Sequence, residues 1–365
     1  MRFTEPMKKF ISVLYCTLFF GICTFFSGAL LLPETILPGT DNGNPPELFK
    51  ENVINDDFGT EYEEWFSKNF ALRDRIVDLF SSLKLNLFAE GSDQVIVGKE
   101  DFLFFDDTAA DYLGTSVMTD EELLSAAEAL NDLQNRVQEA GADFLFVCAP
   151  NKNTIYGTNM PARYRKSEDP SNLDRLYTLL DSMDVSYLDC RPVLLEAAET
   201  ELVYHKRDTH WNGCGAELTF SQVLHRFGLS LPDLSERGPV LNETFEGDLE
   251  ALLFPGKIRY DQDITYDFNG LYVFTSAYST PMDLVITARG GGTQKLLMFR
   301  DSFANAWLPY AAASFAEIRM ERVTPYRVDL LESWQPDCVV VEIAERNLPT
   351  LADALGAEKK TMNSD

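Results

Sequence analysis

The sequence predicts an α/β fold: a mostly parallel sheet with helices on both faces, preceded by an N-terminal transmembrane helix. Two observations predict the sheet. Short apolar runs of strand type alternate with amphipathic helical patterns, which is typical of parallel sheets covered on both faces. The 365 residues, 45% of them hydrophobic, also suffice for a sizeable core. The strand-type runs lie at 144–148, 186–188, 296–299, 318–320 and 339–343.

The helical patterns stand between these runs. Thr119 and Glu122 form a capping box, and the helix that they open is expected to end near Gly141. Further helices are predicted over 172–183, 212–227 and 328–334, with one more from about residue 304. Residues 239–293 break the alternation because they are rich in Gly, Asp and Tyr, and we expect irregular β structure and loops around a site there.

The transmembrane helix is predicted from the first residues. Arg2, Lys8 and Lys9 precede an uncharged run over 10–32. At about 1.5 Å per residue such a run crosses a bilayer core of about 30 Å. The preceding positive charges keep the N-terminus cytoplasmic. We therefore expect a single-pass anchor with the rest of the chain on the extracytoplasmic side. A cleavable signal peptide is the alternative, because residues 27–29 are small.

The overall charge argues against nucleic acid as a partner. The formal net charge is -27 and the pI is about 4.4. Such a field repels polyanions and accommodates a neutral or cationic partner more easily. Cys148 and Cys338 stand in apolar strand-type runs and are expected to be buried, unreactive thiols.

Metal and cofactor chemistry are not indicated. The three histidines are scattered, and the acidic runs show no metal-ligand spacing. The glycines at 290–292 are followed by Thr293 without the Lys-Ser/Thr pair of a phosphate-binding loop, so they read as a flexible turn. We therefore expect no metal and no cofactor.

A serine stands where a parallel sheet exposes catalytic groups. Ser302 follows the strand at 296–299 and precedes the helix predicted from about residue 304. At such a turn its hydroxyl can project above the sheet, and the helix N-terminus offers unpaired N–H groups to a developing oxyanion. The simpler alternative is that Ser302 only caps the helix.

Asp208 and His210 supply what a serine nucleophile requires. An imidazole can take the serine proton, and a carboxylate two residues away can orient the ring and stabilise the imidazolium. Of the other histidines, His225 lies in a helical pattern among apolar residues and reads as a core-edge residue. His205 lacks an obvious orienting partner.

Together these segments resemble a known family. The runs DTHWN at 208–212 and RDSFAN at 300–305 are similar to the SGNH-hydrolase-like domain of alginate O-acetyltransferase components. They are equally similar to the related DHHW proteins of Gram-positive bacteria. VIVGK at 95–99, APNK at 149–152 and GDL at 247–249 resemble further blocks of that family.

The resemblance covers roughly residues 47–350 and implies an SGNH-hydrolase-like fold in which Ser302 is the nucleophile, His210 the base and Asp208 its orienting carboxylate. Thr209 brings the Asp-x-His motif nearer the alginate branch, and Arg300 stands where many esterases have glycine. We expect Arg300 either to neutralise charge beside the site or to form a surface pair. The other oxyanion or substrate candidates are Asn305, Asn151, Lys152, Tyr156 and Trp211.

The domain organisation follows from these patterns. Residues 1–33 are expected to form the cytoplasmic stub and transmembrane anchor, or a signal peptide. A linker and a juxtamembrane helical segment are expected over 34–90, and the SGNH-like catalytic domain over 91–355. Residues 356–365 read as a flexible tail.

The function implied by the resemblance is O-acetyl transfer to an extracellular polysaccharide or cell-wall glycan through an acyl-serine. In the resembled systems a multi-pass membrane acyltransferase of MBOAT type brings the acetyl group across the membrane, and we expect such a partner. Two alternatives stay open. The same triad can serve a carbohydrate esterase with water as acceptor, or the chain can be a non-catalytic glycan-binding or assembly subunit.

Overall fold

The computed structural model describes residues 13–21, 24, 44–50, 53–69, 73–88, 91–234 and 237–356. These residues fall into two compact units. The smaller comprises the described residues of Met1–Phe88 together with Leu253–Lys257. The larger comprises those of Ala89–Leu252 and Ile258–Asp365.

The smaller unit contains a short β-pair followed by two helices. Strands β1 (Phe49–Lys50) and β2 (Val53–Ile54) pair antiparallel, and helices follow at Phe58–Asn69 and Arg73–Phe88. No helix among the described residues is long and apolar enough to cross a bilayer. Most residues of the predicted anchor over 10–32 lie outside the described residues. Within that range, residues 13–21 are described and are helical. The anchor therefore stays a prediction.

The larger unit is built on a mixed seven-stranded sheet, counted over the described part of the chain. Its strands stand in the order β6-β5-β13-β11-β12-β10-β9. The first five run parallel, whereas β10 pairs antiparallel with β12, and β9 antiparallel with β10. The strands of this unit are β3 (Val95–Val97), β4 (Leu103–Phe105), β5 (Asp143–Ala149), β6 (Tyr187–Asp189), β7 (Pro239–Phe245), β8 (Asp261–Tyr266), β9 (Tyr272–Phe274), β10 (Val285–Gly290), β11 (Lys295–Phe299), β12 (Glu317–Glu321) and β13 (Cys338–Ala344).

Helices cover both faces of this sheet, as the sequence predicts. Along β5, Phe144 and Phe146 face one apolar cluster, whereas Leu145 and Val147 face the other, because strand side chains alternate. The buried thiols of Cys148 and Cys338 fall on these opposite faces as free cysteines. The helices lie at Ala109–Tyr112, Asp120–Glu139, Lys152–Ile155, Asn172–Ser182, Arg191–Ala197, Gly213–Arg226, Asp248–Leu253, Leu308–Ser314, Leu330–Trp334 and Leu351–Ala354.

The predicted capping box is present: the Thr119 side chain accepts from the Glu122 backbone, and the Glu122 side chain accepts from the Thr119 backbone. Two features differ from prediction. The helix expected from about residue 304 is a 3₁₀ turn, Phe303–Asn305, and the α-helix begins at Leu308. The region 239–293 contains the regular strands β7 to β10, two of which extend the main sheet.

The carboxyl ends of neighbouring parallel strands converge on one edge. β11 leads into Ser302, the adjacent β13 leads into Glu345, and β5 leads into Asn151. In open α/β sheets, ligand sites form beyond these strand ends. The fold therefore places the predicted serine where such a site is expected.

Candidate active site

The hydroxyl of Ser302 is free of a capping role. Ser302 precedes the 3₁₀ turn with φ -76° and ψ -19°, and its side chain makes no capping hydrogen bond. The Asp301 carboxylate caps the turn instead, because it accepts from the backbone N–H of Phe303 at 2.9 Å. Its other oxygen accepts from the N–H of Ala344 at 2.7 Å, which ties the turn to the end of β13. The reading of Ser302 as a simple helix cap is therefore wrong.

His210 joins the serine to a carboxylate. Its Nε2 lies 2.8 Å from Ser302 Oγ, and its Nδ1 lies 2.7 Å from Asp208 Oδ1. An ionised carboxylate only accepts hydrogen bonds, so we assign the imidazole proton to Nδ1. Nε2 then presents its lone pair to the Ser302 hydroxyl. This geometry is that of a nucleophile with its general base and orienting acid.

Asp208 is held as an anion in spite of its burial. Burial alone raises a carboxyl pKa, but the hydrogen bond and charge of His210 outweigh it, and the pKa of Asp208 lies well below its usual range. The backbone N–H groups of His210 and Asp248 donate to the two Asp208 oxygens at 2.8 and 2.9 Å. Both oxygens are thus fixed, and so is the plane of the imidazole that Asp208 accepts from.

Asp248 is a second carboxylate beside the imidazole. It accepts from the backbone N–H and the hydroxyl of Thr209 at 2.8 and 2.6 Å, and its Oδ2 lies 3.8 Å from His210 Nδ1. Burial and the charge of Asp208 raise its pKa. Over the described residues, Asp208, His210 and Asp248 bring possible metal-ligand atoms within 4.8 Å of one another. Hydrogen bonds join Asp208 to both His210 and Asp248 and orient the imidazole, and this role explains why the three side chains lie together.

Lys152 fixes the loop that carries Asp208 and His210. The residue is 4% exposed, and its ammonium donates to the carbonyl oxygens of His205, Lys206 and Asp208 at 3.1, 3.0 and 2.6 Å. Burial lowers the pKa of Lys152 to about 7, although nearby carboxylates such as Asp208 act in the opposite direction. The expectation that Lys152 contacts a sugar or acetyl group is wrong, because its donors are used inside the protein.

Arg300 is buried as well, so the expected surface pair is wrong. It is 3% exposed and donates through Nη1 to Asn305 Oδ1 at 2.5 Å and through Nη2 to the carbonyls of Pro281 and Asp283 at 2.9 and 3.1 Å. Burial lowers the pKa of Arg300 to about 10. Because a guanidinium only donates, this contact fixes the Asn305 amide with its oxygen toward Arg300. The Nδ2 of Asn305 is then the group available to donate elsewhere, and it lies 3.1 Å from Met282 Sδ.

The other substrate candidates are part of the core. The Tyr156 hydroxyl is buried and accepts from the backbone N–H of Val203 at 2.9 Å. Trp211 is 1% exposed, stacks on Trp307 and donates to the carbonyl of Phe303 at 3.0 Å. The expected substrate contact of Tyr156 is therefore wrong, because its hydroxyl is used internally. The N–H of Trp211 is also used internally, but its side chain lines the cavity beside the triad, so a stacking contact with a sugar stays a prediction.

Asn151 is a different case. Its backbone N–H donates to Glu345 Oε2 at 2.7 Å, while its buried side-chain amide has no hydrogen-bond partner within the described residues. The amide stands at the end of β5, on the edge where β11 delivers Ser302. It is thus still a candidate oxyanion donor.

A cavity of about 770 Å³ opens beside the triad. Ser302, His210 and Asp208 line it, together with Asn305 and His205. The sequence predicts that residues 239–293 surround the site, but it does not show that their aromatic side chains line one wall of the cavity. We call this wall the ring-rich wall. That wall contains Phe245, Tyr266, Phe268, Tyr272, Phe274, Tyr278 and Tyr310.

Asp248 and Glu342 stand in sequence blocks that resemble the family, but sequence reasoning assigned neither of them a supporting role at the site. Glu342 is fully buried, and its Oε2 accepts from the backbone N–H of Asp301 at 3.0 Å, directly before the serine. Burial, and then the charge of Asp301, raise the pKa of Glu342 well above its usual range. An acidic residue within the apolar run of β13 was the available signal, because a charge rarely stands there without a partner.

Comparison with known proteins agrees with this fold. Residues 95–255 match the family model described as SGNH hydrolase-like domain, acetyltransferase AlgX. That segment includes Asp208 and His210, whereas Ser302 lies beyond it. The probable alginate O-acetylase AlgJ of Pseudomonas syringae pv. tomato is 22% identical over 256 residues, which are 68% of this chain and 61% of that relative. The corresponding Pseudomonas aeruginosa protein is 25% identical over 170 residues, 45% of this chain and 41% of the relative.

Two solved structures share the fold. A DHHW family protein from Eubacterium siraeum has a TM-score of 0.53 at 17% identity, covering 64% of this chain and 88% of that one. Bacillus cereus PatB1 with a sulfonyl adduct has a TM-score of 0.52 at 15% identity, covering 70% of this chain and 97% of that one. The resemblance inferred from the sequence is confirmed as a similarity: residues 95–255 match the family model of the SGNH hydrolase-like domain of acetyltransferase AlgX, and up to 68% of the chain is similar to AlgJ-type alginate O-acetylases.

Proposed function

We propose that this protein transfers an acetyl group to a hydroxyl of an extracytoplasmic glycan, with Ser302 as the nucleophile. The contact of 2.8 Å between Ser302 Oγ and His210 Nε2, with Asp208 on the opposite ring nitrogen, carries the proposal. The relatives are named as acetyltransferases or O-acetylases, which supports acetyl as the group that is transferred. The chain spans about 61% of the length of the AlgJ relative from Pseudomonas syringae pv. tomato.

In the first half-reaction Ser302 Oγ attacks the carbonyl carbon of the acetyl donor. His210 Nε2 takes the hydroxyl proton as the new C–O bond forms, and Asp208 stabilises the imidazolium. The tetrahedral intermediate then breaks its bond to the donor oxygen, which leaves with the proton from His210. The product is an acetyl ester on Ser302.

In the second half-reaction the sugar hydroxyl attacks that ester. His210 takes the proton of the sugar hydroxyl, and on collapse of the intermediate it returns a proton to Ser302 Oγ. The acetyl group leaves on the sugar, and the serine is regenerated.

Each intermediate develops a negative oxygen that needs donors. The backbone N–H of Ser302 makes no hydrogen bond in the described structure, so it is the first candidate. The side-chain amides of Asn305, oriented by Arg300, and of Asn151 are the other two candidates.

The cellular setting of this activity is also proposed. Positive charges before the apolar run at 10–32 favour a single-pass membrane protein with its catalytic domain outside the cytoplasm. In that place a membrane-bound acyltransferase of MBOAT type is a suitable acetyl donor, because anchoring both proteins raises their effective concentration.

The proposal is tested by following acetyl transfer from a chromogenic acetyl ester to an oligosaccharide. Wild type should release the chromophore, acquire the mass of one acetyl group on the tryptic peptide that contains Ser302, and acetylate the sugar. Ser302→Ala should lose all three. The matched control is Ser333→Ala, which should leave all three intact, because the exposed Ser333 hydroxyl donates only to the carbonyl of Asp329.

Two outcomes would change the assignment. Equal ester turnover in Ser302→Ala and wild type would remove the serine mechanism. Chromophore and acetate release that depends on Ser302, without acetylated sugar over a series of acceptors, would make the protein an esterase with water as acceptor.

A further inference from the structure

The charge of the cavity beside Ser302 restricts the acceptor. The titratable side chains among its lining residues, tyrosines apart, are two aspartates, Asp208 and Asp263, and two histidines, His205 and His210. Neither lysine nor arginine lines the cavity within the described residues. The lining therefore carries negative charge, and the net charge of -27 places it in a field of the same sign.

His205 does not offset this charge. Its ring stacks on Phe245 with centroids 3.7 Å apart, and its Nε2 lies 4.0 Å from Asp263 Oδ2. Burial lowers the pKa of His205, with Asp263 acting in the opposite direction, so the ring is neutral at physiological pH. The buried Nδ1 of His205 has no hydrogen-bond partner in the described structure. A sugar hydroxyl, which both donates and accepts, suits a neutral imidazole at this position.

Three arginines near the cavity donate hydrogen bonds to groups of the protein, and one of them, Arg322, donates to the carbonyl of Met282 at 3.3 Å. Arg207 pairs with Asp261 at 2.5 Å and lies 3.7 Å from Glu250. Arg300 is buried behind Asn305 and gives its Nη donors to that side chain and to backbone carbonyls. A carboxylate on the acceptor would thus enter the cavity without the paired Arg or Lys that a buried anion requires.

The ring-rich wall suits an uncharged sugar. Phe274 and Tyr278 stack in parallel at 3.9 Å, and Phe268 packs edge-on against Tyr310 at 5.0 Å. Such rings present apolar faces and, for tyrosine, a hydroxyl at the rim. They can cover the C–H face of a pyranose without supplying positive charge.

We infer that the acceptor is a neutral glycan, and that the cavity discriminates against uronate polymers such as alginate. This inference rests on the proposed function, since it assigns the cavity to the acceptor. Repulsion between a sugar carboxylate and Asp263 or Asp208 at partly buried positions corresponds to a preference of about tenfold or more for the neutral sugar.

A matched pair of ligands tests this. β-1,4-linked mannohexaose and the β-1,4-linked hexamer of mannuronate differ only in carrying CH₂OH or a carboxylate at C5. Binding of each to the full chain is measured by calorimetry in the Ser302→Ala background, where acyl transfer cannot interfere. We expect the neutral hexamer to bind at least about tenfold more tightly at low salt. Raising the salt should strengthen uronate binding alone, because it screens the repulsion.

Asp263→Asn supplies the internal test. Asparagine keeps the oxygen that accepts from the N–H of Gly213 at 2.8 Å but removes the charge. We expect it to narrow the difference between the two hexamers several-fold. Asp132→Asn removes the same charge from an exposed position on the helix Asp120–Glu139. It should leave the ratio of the dissociation constants of the two hexamers unchanged.

The inference fails if the uronate hexamer binds as tightly as the neutral one, or if the neutral hexamer does not bind. It fails equally if Asp263→Asn and Asp132→Asn alter the ratio to the same extent. These are binding results, so they are separate from the acetyl-transfer assay, in which persistence of activity in Ser302→Ala would remove the proposed function instead.

Discussion

Lys152→Met removes the buried ammonium that holds the loop of Asp208 and His210. Methionine has nearly the same length but no donor, so the carbonyls of His205, Lys206 and Asp208 lose bonds of 3.1, 3.0 and 2.6 Å. At about 1 kcal/mol for each hydrogen bond the loss sums to about 3 kcal/mol. The cost of burying the ammonium, which the lowered pKa of Lys152 reflects, offsets most or all of this loss near neutral pH, so we expect the free energy of unfolding to change by about 1 kcal/mol or less at pH 7.

This effect should grow with pH. Burial lowers the pKa of Lys152 from 10.5 to about 7. Between these values the unfolded chain holds a proton that the folded protein has released, so Lys152 makes stability rise with pH by at most about 1.4 kcal/mol per unit. The methionine variant lacks this increment. Its deficit relative to wild type should therefore increase by about 2 kcal/mol between pH 7 and pH 9.

The measurements are urea unfolding at the two pH values and kcat/KM for a chromogenic acetyl ester. Because a displacement of about 1 Å in a catalytic group costs about 10²-fold, we expect a loss of that order in kcat/KM. Lys206→Met is the control: Lys206 is in the same loop, but it is only half-buried and its ammonium donates to the carbonyl of Glu100 at 3.0 Å rather than to the loop itself. If the two variants unfold and turn over ester alike, the positioning role of Lys152 is refuted.

Three further substitutions probe the support of the site. Gly247→Ala would place a methyl group against the backbone that leads into Asp208. We therefore expect it to lower the free energy of unfolding by at least about 2 kcal/mol and to abolish most ester turnover. The control Gly291→Ala places its methyl group in open space and should change neither quantity. Asp208→Asn should lower kcat by about 10³- to 10⁴-fold, and an undiminished kcat would remove the orienting role of this carboxylate. It should also lower the free energy of unfolding by about 1–3 kcal/mol, because the amide offers one acceptor oxygen where two accept backbone N–H groups. Glu342 keeps its proton in the folded protein while the unfolded chain releases it above about pH 4.5, so wild-type stability falls as pH rises through this range. The amide of Glu342→Gln can retain the contact with Asp301. In urea unfolding this variant should therefore be about 1–2 kcal/mol more stable than wild type at pH 8 and no more stable than wild type at pH 4. A variant that is less stable than wild type at both pH values would contradict this.

The strands and helices with simple periodicity could be predicted from the sequence. Residues 144–148 form a continuous apolar run, and 339–343 form one that only Glu342 interrupts, because β5 and β13 are buried on both faces. Thr119 with Glu122 satisfies the first turn of its own helix. The antiparallel strands at the other side of the sheet could not be predicted in this way. β9 is apolar but only three residues long and partly exposed, and β10 mixes apolar with polar residues, so neither carries a continuous apolar run of strand length.

The nucleophile, its base and its acid were also identifiable from residue types and local context, helped by a family resemblance. Their contact was not identifiable, because 92 positions separate Ser302 from His210 and the two meet only when β11 delivers the serine to the loop before the helix Gly213–Arg226.

The sequence by itself determined the α/β alternation, the chemistry available to a serine, a histidine and an aspartate, and the negative charge. Tertiary structure alone decided which polar side chains are free to meet a substrate. Lys152, Tyr156 and Trp211 stand in or beside motifs and are expected at the site, yet each is buried with its donor or acceptor satisfied by a distant carbonyl or N–H. The physical reason is that local periodicity reflects contacts within a few residues, whereas burial and hydrogen-bond partners are set by segments that pack together from far along the chain.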